Sequence, residues 1–172
     1  MLDQTRDAVP PGLTLLRAWT LMRLERPTEA GVVFEGVVRR GAANDERREE
    51  ALYGLARANI AAGDIGEAAR VADSYGLNLG HRQEIRAELL GRQAALAFEQ
   101  GRYRQVLILL ETRRGLAAPD RPTQVQEAWA NYHLGRPRTA ERIFAGLHRV
   151  VATEETKEGL RIVRARLNGY EP

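Results

Sequence analysis

The chain has 172 residues, enough for one domain with a proper core, and its 44% apolar and 28% charged residues exclude wholesale disorder. With no cysteine, disulfide frameworks and thiolate metal sites are removed, and no apolar run nears the roughly 20 residues that cross a bilayer. The charge of +3 and pI near 9.7 come from 25 Arg and one Lys interspersed with acids, as in Asp45-Glu46-Arg47-Arg48-Glu49-Glu50; this reads as the coding bias of a GC-rich genome and disfavours nucleic acid as a partner.

Ala, Leu, Arg and Glu dominate, the residues that lose least on entering a helix, and no segment alternates as a strand should. Residues 1–12, with Pro10-Pro11, read as a flexible lead-in; the opening Met-Leu-Asp-Gln-Thr-Arg-Asp lacks the basic start and apolar stretch of a secretory signal. First helices of successive pairs are predicted over 13–24, 46–62, 82–100 and 122–134, second helices over 27–40, 65–76, 103–115 and 136–150, and a terminal helix over 153–167. Gly41-Ala42-Ala43-Asn44, Leu77-Asn78-Leu79-Gly80 and Ala117-Ala118-Pro119-Asp120 are predicted as the loops between pairs.

The organisation is a repeat. Ala18 to Phe34 reads AWTLMRLERPTEAGVVF and Ala128 to Phe144 reads AWANYHLGRPRTAERIF. Two further copies run from Ala56 through Gly63-Asp64-Ile65 to Ala68 and from Ala94 through Gly101-Arg102-Tyr103 to Val106. With the turn residue as marker, the copies fall at Glu25, Gly63, Gly101 and Gly135, spaced by 38, 38 and 34 residues, and a fifth turn follows at Asn168-Gly169-Tyr170.

Each recurrence has a physical reason. Ala18, Ala56, Ala94 and Ala128 are short side chains where two helices cross closely. Ala30, Ala68, Val106 and Ala140 meet them from the second helix, and Phe34, Ala72, Leu110 and Phe144 follow one turn later on the same face. The turn position needs left-handed backbone, hence glycine in three of four copies. Pro27 and Pro137 open their helices where no hydrogen bond is lost, and Asp64 has the chemistry of an N-cap.

These spacings, over residues 13–170, resemble the tetratricopeptide repeat (TPR) family. The resemblance implies an all-α, TPR-like right-handed α-solenoid of four helix-turn-helix repeats, about 13–43, 46–80, 82–119 and 122–150, plus the terminal helix 153–167. It also implies a non-catalytic scaffold that binds a protein or peptide partner in the concave groove lined by first helices. More narrowly, Glu49-Glu50…Gly54-Leu55 and Glu154-Glu155…Gly159-Leu160 are similar to the periplasmic repeat scaffolds of bacterial exopolysaccharide export, of the cellulose-secretion type. On that likeness the chain is a periplasmic segment excised from a longer solenoid; otherwise it sits in the bacterial cytoplasm. Leu160, Val163 and Leu167 give the last helix a stripe suited to a cap, yet Asn168-Gly169-Tyr170 matches a turn into another second helix, which tips the balance to truncation. The alternatives are a small bacterial TPR chaperone or secretion/pilus assembly adaptor, and a module binding a glycan strand or polysaccharide.

The resemblance puts Trp19, Arg23, Tyr53, Arg57, Arg92, Trp129, Tyr132 and His133 on the groove side. Aromatic and arginine side chains of that kind anchor interfaces most often. The plainer reading of the same residues is packing between helices for the two Trp, surface pairing with glutamates for Arg57 and Arg92, and a half-buried packing role for His133. The Lys and Asn side chains that clamp a C-terminal carboxylate in chaperone-binding members of the family have no counterparts at Leu15 and Trp19. No enzyme is expected: Ser74, the lone serine, has Asp73 and His81 as neighbours but no nucleophile elbow. His81, His133 and His148 lack metal-ligand spacing, no glycine loop cradles phosphate, and no cofactor is implied.

Overall fold

A computed structural model describes residues 11–41, 45–74 and 76–170. These residues form α1 (Pro11–Arg23), α2 (Pro27–Arg39), α3 (Asp45–Ala62), α4 (Ile65–Asp73), α5 (Leu79–Glu99), α6 (Tyr103–Arg114), α7 (Arg121–His133), α8 (Pro137–Val150) and α9 (Glu154–Leu167), with no strand among them. Pro11 and Gly12, expected in the lead-in, start α1, and the rest of that lead-in lies outside the described residues, as do Ala42 to Asn44 of the first predicted loop.

Contacts divide the chain within α5 into two compact units, Met1–Leu89 and Leu90–Pro172. In the first, α1 packs on α2, α2 on α3, α3 on α4, and α1 also touches α3. In the second, α6 packs on α7, α7 on α8, α8 on α9, and α7 also touches α9. First helices meeting the first helix of the next pair is the stacking order of a helix-turn-helix repeat.

Every hairpin turn closes the same way. Arg26, Asp64, Arg102 and Arg136 donate their backbone N–H to the carbonyls of Leu21, Asn59, Ala97 and Asn131 at 2.8–3.0 Å. The residue before each, at φ of 57° to 89°, donates to the carbonyl three back. This pair of bonds satisfies carbonyls that the helix end leaves free, and it requires the left-handed residue in between. Gly169 (φ 82°) and Tyr170, whose N–H reaches Ala165, repeat the arrangement at the end of α9. Glu25 is the one described non-glycine residue at positive φ. Glu25→Gly should therefore stabilise the chain by about 1 kcal/mol, raising Tm by roughly 3 °C in calorimetry, since a left-handed L-residue carries a steric cost that glycine lacks.

Side-chain caps set some ends and not others. Asp64 has the residue type of an N-cap but makes no side-chain bond to α4. Asn78 does cap: its Oδ1 accepts the His81 N–H at 2.8 Å, while its own N–H donates to Glu49 at 2.9 Å. Helix α5 consequently begins at Leu79, inside the segment predicted as a loop. Asp120 caps α7 through the Thr123 N–H, and Thr153 with Thr156 forms a reciprocal cap on α9. Asp120 also pairs with the mostly buried Arg113 guanidinium. Burial pushes the Asp120 carboxyl up, but the Thr123 bonds and Arg113 together outweigh it and hold it below the usual range.

The core is the recurrent skeleton itself. Ala18, Ala56, Ala94 and Ala128 are fully buried, as are Ala30, Ala68, Val106 and Ala140 against them. Phe34 and Phe144 are fully buried too, each with a tryptophan edge-on: Trp19 at 4.9 Å and Trp129 at 5.0 Å between ring centroids. Each ring lies on a glycine of the following first helix. A Cβ added at Gly54 would stand 2.3 Å from Phe34, and one at Gly159 would stand 2.7 Å from Phe144. The large residue closing one repeat thus fits only because the next repeat presents bare backbone.

Candidate interaction site

In the first unit the first helices bring Trp19, Tyr53 and Arg57 together. Trp19, half-buried, has its ring 6.2 Å from that of Tyr53 and donates its indole N–H to Glu50 Oε1 at 2.8 Å. The Tyr53 ring stacks on His81 at 4.2 Å and an interplanar angle of 21°. Its hydroxyl donates to Glu84 Oε1 at 2.7 Å and accepts from Arg57 at 3.0 Å. The Arg57 guanidinium stands 5.7 Å from the Tyr53 ring centroid and also pairs with Glu84 at 3.4 Å and Glu88 at 3.9 Å.

Burial first, then donation to Glu84, pushes the Tyr53 phenol above its usual range; the Tyr53 hydrogen bond, chiefly, does the same for the Arg57 guanidinium. Both groups keep their ordinary charge at neutral pH. These ion pairs are substantially exposed, so they fix geometry more than they stabilise the fold. His81 is held in turn by Glu49, whose Oε1 lies 3.0 Å from His81 Nδ1. Arg23 is exposed one turn beyond Trp19.

In the second unit Trp129, Tyr132 and His133 form a corresponding group. Trp129 meets Tyr132 edge-on at 5.8 Å, and Tyr132 meets His133 at 5.5 Å. The His133 imidazole stacks on Tyr103 at 4.3 Å, nearly parallel, with the Phe98 ring edge-on to both. His133 is exposed rather than half-buried as the sequence led us to expect, although loss of water over its stacked ring lowers its pKa. Arg92 is exposed and stands outside this aromatic group.

Tyr103, His81 and Glu84 also belong to these clusters, although the repeat pattern does not mark them as groove residues. Tyr103 had a signal: it takes the first position of a second helix, directly after the Gly101 turn, where other copies carry Pro27, Ile65 and Pro137. Both tryptophans take the packing and the surface roles at once, half-buried with one edge on a core phenylalanine. The Ser74 hydroxyl donates to the Val71 carbonyl at 2.7 Å, while His81 is engaged with Glu49 and Asn78. Among the described residues no group of His, Asp or Glu is placed to hold a metal ion, and no helix is long and apolar enough to cross a membrane.

Among the described residues the fold is thus an all-α helix-turn-helix repeat of the tetratricopeptide type, four pairs followed by α9. No protein-family model matches the chain, and no curated protein matches it. Among solved structures, it is similar to a crystal structure of a Podosopora anserina putative kinesin light chain with nearly identical TPR-like repeats, at 18% identity and a TM-score of 0.49, covering 95% of this chain and 90% of that one. A single-substitution form of that protein gives the same identity and TM-score, covering 93% and 88%. The fold assignment rests on the helix pairing and turns described above.

Proposed function

We propose that this chain is a protein-interaction scaffold that binds protein on its first-helix faces, at the aromatic cluster of each unit. The observation that carries this reading is their preorganisation. Tyr53 and Arg57 are partly exposed yet fixed by His81, Glu84 and Glu88, and His133 is exposed yet fixed by Tyr103. Rigid aromatic and arginine side chains at a surface give up little entropy on binding, which is why they dominate interface energetics. Arg57 acts here as a buttressed anchor, since its guanidinium already has three partners.

The finer reading, a segment of a bacterial exopolysaccharide export scaffold, draws on the recurrence of Glu-Glu…Gly-Leu. Gly54 and Gly159 have a packing reason under Phe34 and Phe144, so the glycine of that recurrence is accounted for by the repeat.

A photo-crosslinking amino acid placed at Arg23 or Arg92, in the native host, tests the proposal. We expect a protein adduct at each of these positions and none at Glu67, an exposed second-helix control. Tyr53→Phe and Arg57→Ala should each cut the Arg23 adduct several-fold while changing stability by less than about 1 kcal/mol. Equal adducts at Glu67, or yields indifferent to both substitutions, would remove the first-helix face as the binding surface.

A further inference from the structure

On the second-helix side of the Leu90–Pro172 unit, α6 and α8 both pack on α7 and leave a groove between them. Two open depressions, of about 560 and 680 Å³, lie along it, and Arg114 and Glu127 line both. The walls are apolar and exposed: Ile108 on α6 is 66% exposed, and Val150 and Val151 at the far end of α8 are 82% and 54% exposed. Exposed aliphatic residues in one groove are unusual for a surface that stays in water.

The charge along this groove is one-sided. Its carboxylates, Glu111 and Glu127, both pair with Arg114. The Arg121 guanidinium is occupied by the carbonyls of Leu147 and Val151 and by the Thr153 hydroxyl. Arg136, the N-cap residue of the α8 wall, and Arg142, near its middle, make no ion pair among the described residues. The comparable depression on the second-helix side of the first unit is built differently. It carries Glu35, Asp64 and Glu67 against a single cation, Arg70, which pairs with Glu67. The basic, aliphatic groove is therefore a property of this unit and not of the repeat as such.

We propose that this groove is a second docking surface, and that its occupant is an acidic amphipathic helix of a protein partner. A helix fits better than an extended strand, because the helical walls offer no free backbone groups to pair with a strand's amides. The twelve-residue α6 wall gives room for about three turns at 1.5 Å per residue. Aliphatic side chains on one face of the docked helix, about two to three turns apart, would rest on Ile108 and on Val150 with Val151, and flanking Asp or Glu would meet Arg136 and Arg142. The surface is separate from the first-helix faces, so it stands or falls independently of the function proposed above.

The test is selection of a phage library of helical peptides, about 14 residues long, on the full chain. Enriched peptides should carry two aliphatic residues on one face, about two to three turns apart, flanked by Asp or Glu. Their affinity should drop at least about tenfold on Ile108→Glu and on Arg142→Glu, with unchanged circular-dichroism melting, because both side chains are at the surface. Arg142→Glu should also turn preference towards a Glu-to-Lys version of the same peptide. Enrichment of basic peptides, no enrichment, or binding insensitive to both substitutions would overturn the proposal. So would a dimer of the chain, seen in sedimentation, that Ile108→Glu abolishes, since the groove would then be covered by a second copy.

Discussion

Gly54→Ala is expected to destabilise the chain by about 3 kcal/mol, with Tm falling by roughly 6–12 °C. The sign is the informative part. In an exposed helix interior the same exchange gains up to about 1 kcal/mol, because alanine restricts the unfolded chain and has the higher helix propensity. At Gly54 the new methyl would lie 2.3 Å from one Phe34 ring carbon and 2.4 Å from the next. That ring is fully buried with Trp19 at its side, so it has nowhere to move. Gly146, in mid-α8 with nothing within 4 Å, is the control that should gain from alanine. Phe34→Leu added to Gly54→Ala should recover part of the loss; urea denaturation of the four proteins measures the coupling. A neutral or stabilising Gly54→Ala would mean that the helices do not cross where the structure has them.

Phe144→Ala should cost about 3–5 kcal/mol, the transfer free energy of a buried ring plus the cavity it leaves. Phe144 fills the space between α8, Trp129 and the bare backbone of Gly159, so its removal also strips Trp129 of its edge contact. Adding Gly159→Ala to Phe144→Ala should then stabilise, since the methyl enters the void, whereas Gly159→Ala alone should destabilise. This reversal, read in denaturant midpoints, separates a Phe–Gly lock from generic loss of apolar area. A methyl at Gly159 that harms the parent and helps the cavity variant makes the Phe144 ring itself the obstacle.

The skeleton of the fold was legible because it depends on side-chain size at fixed spacing. Ala18, Ala56, Ala94 and Ala128 must be short for helices to cross, and all four are fully buried. The turns were legible for a similar reason: left-handed backbone selects glycine, and the three glycines and Glu25 have positive φ. The start of α5 was not, although its cap is local: Asn78 accepts the His81 N–H three residues on. Asparagine is a favoured N-cap and so was a local signal, overridden by reading Leu77 to Gly80 as a loop; the bond from the Asn78 N–H to Glu49, twenty-nine residues earlier, has no local signature.

The site was legible in outline only. Trp19, Tyr53 and Arg57 do gather, as do Trp129, Tyr132 and His133: Tyr53 with Arg57, and the three residues of α7, share a helix face at a spacing of three or four residues, and only the Trp19–Tyr53 contact joins two stacked first helices. The fixing partners, His81, Glu84 and Tyr103, come from other registers and required coordinates. Arg57 shows the difference most plainly. From sequence it reads either as a ligand-binding cation or as half of a surface pair, and its bonds to Tyr53, Glu84 and Glu88 make it a brace for the aromatic ring.

The hairpin closures have one more consequence. Since backbone groups alone make those bonds, nothing at a bend depends on side-chain chemistry beyond a single handedness requirement. The side chains at Arg26, Arg102 and Arg136 can then be exchanged without loss of the bend itself, for fluorescent dyes, affinity handles or surface immobilisation, at Arg26 with loss only of its exposed pair with Glu29.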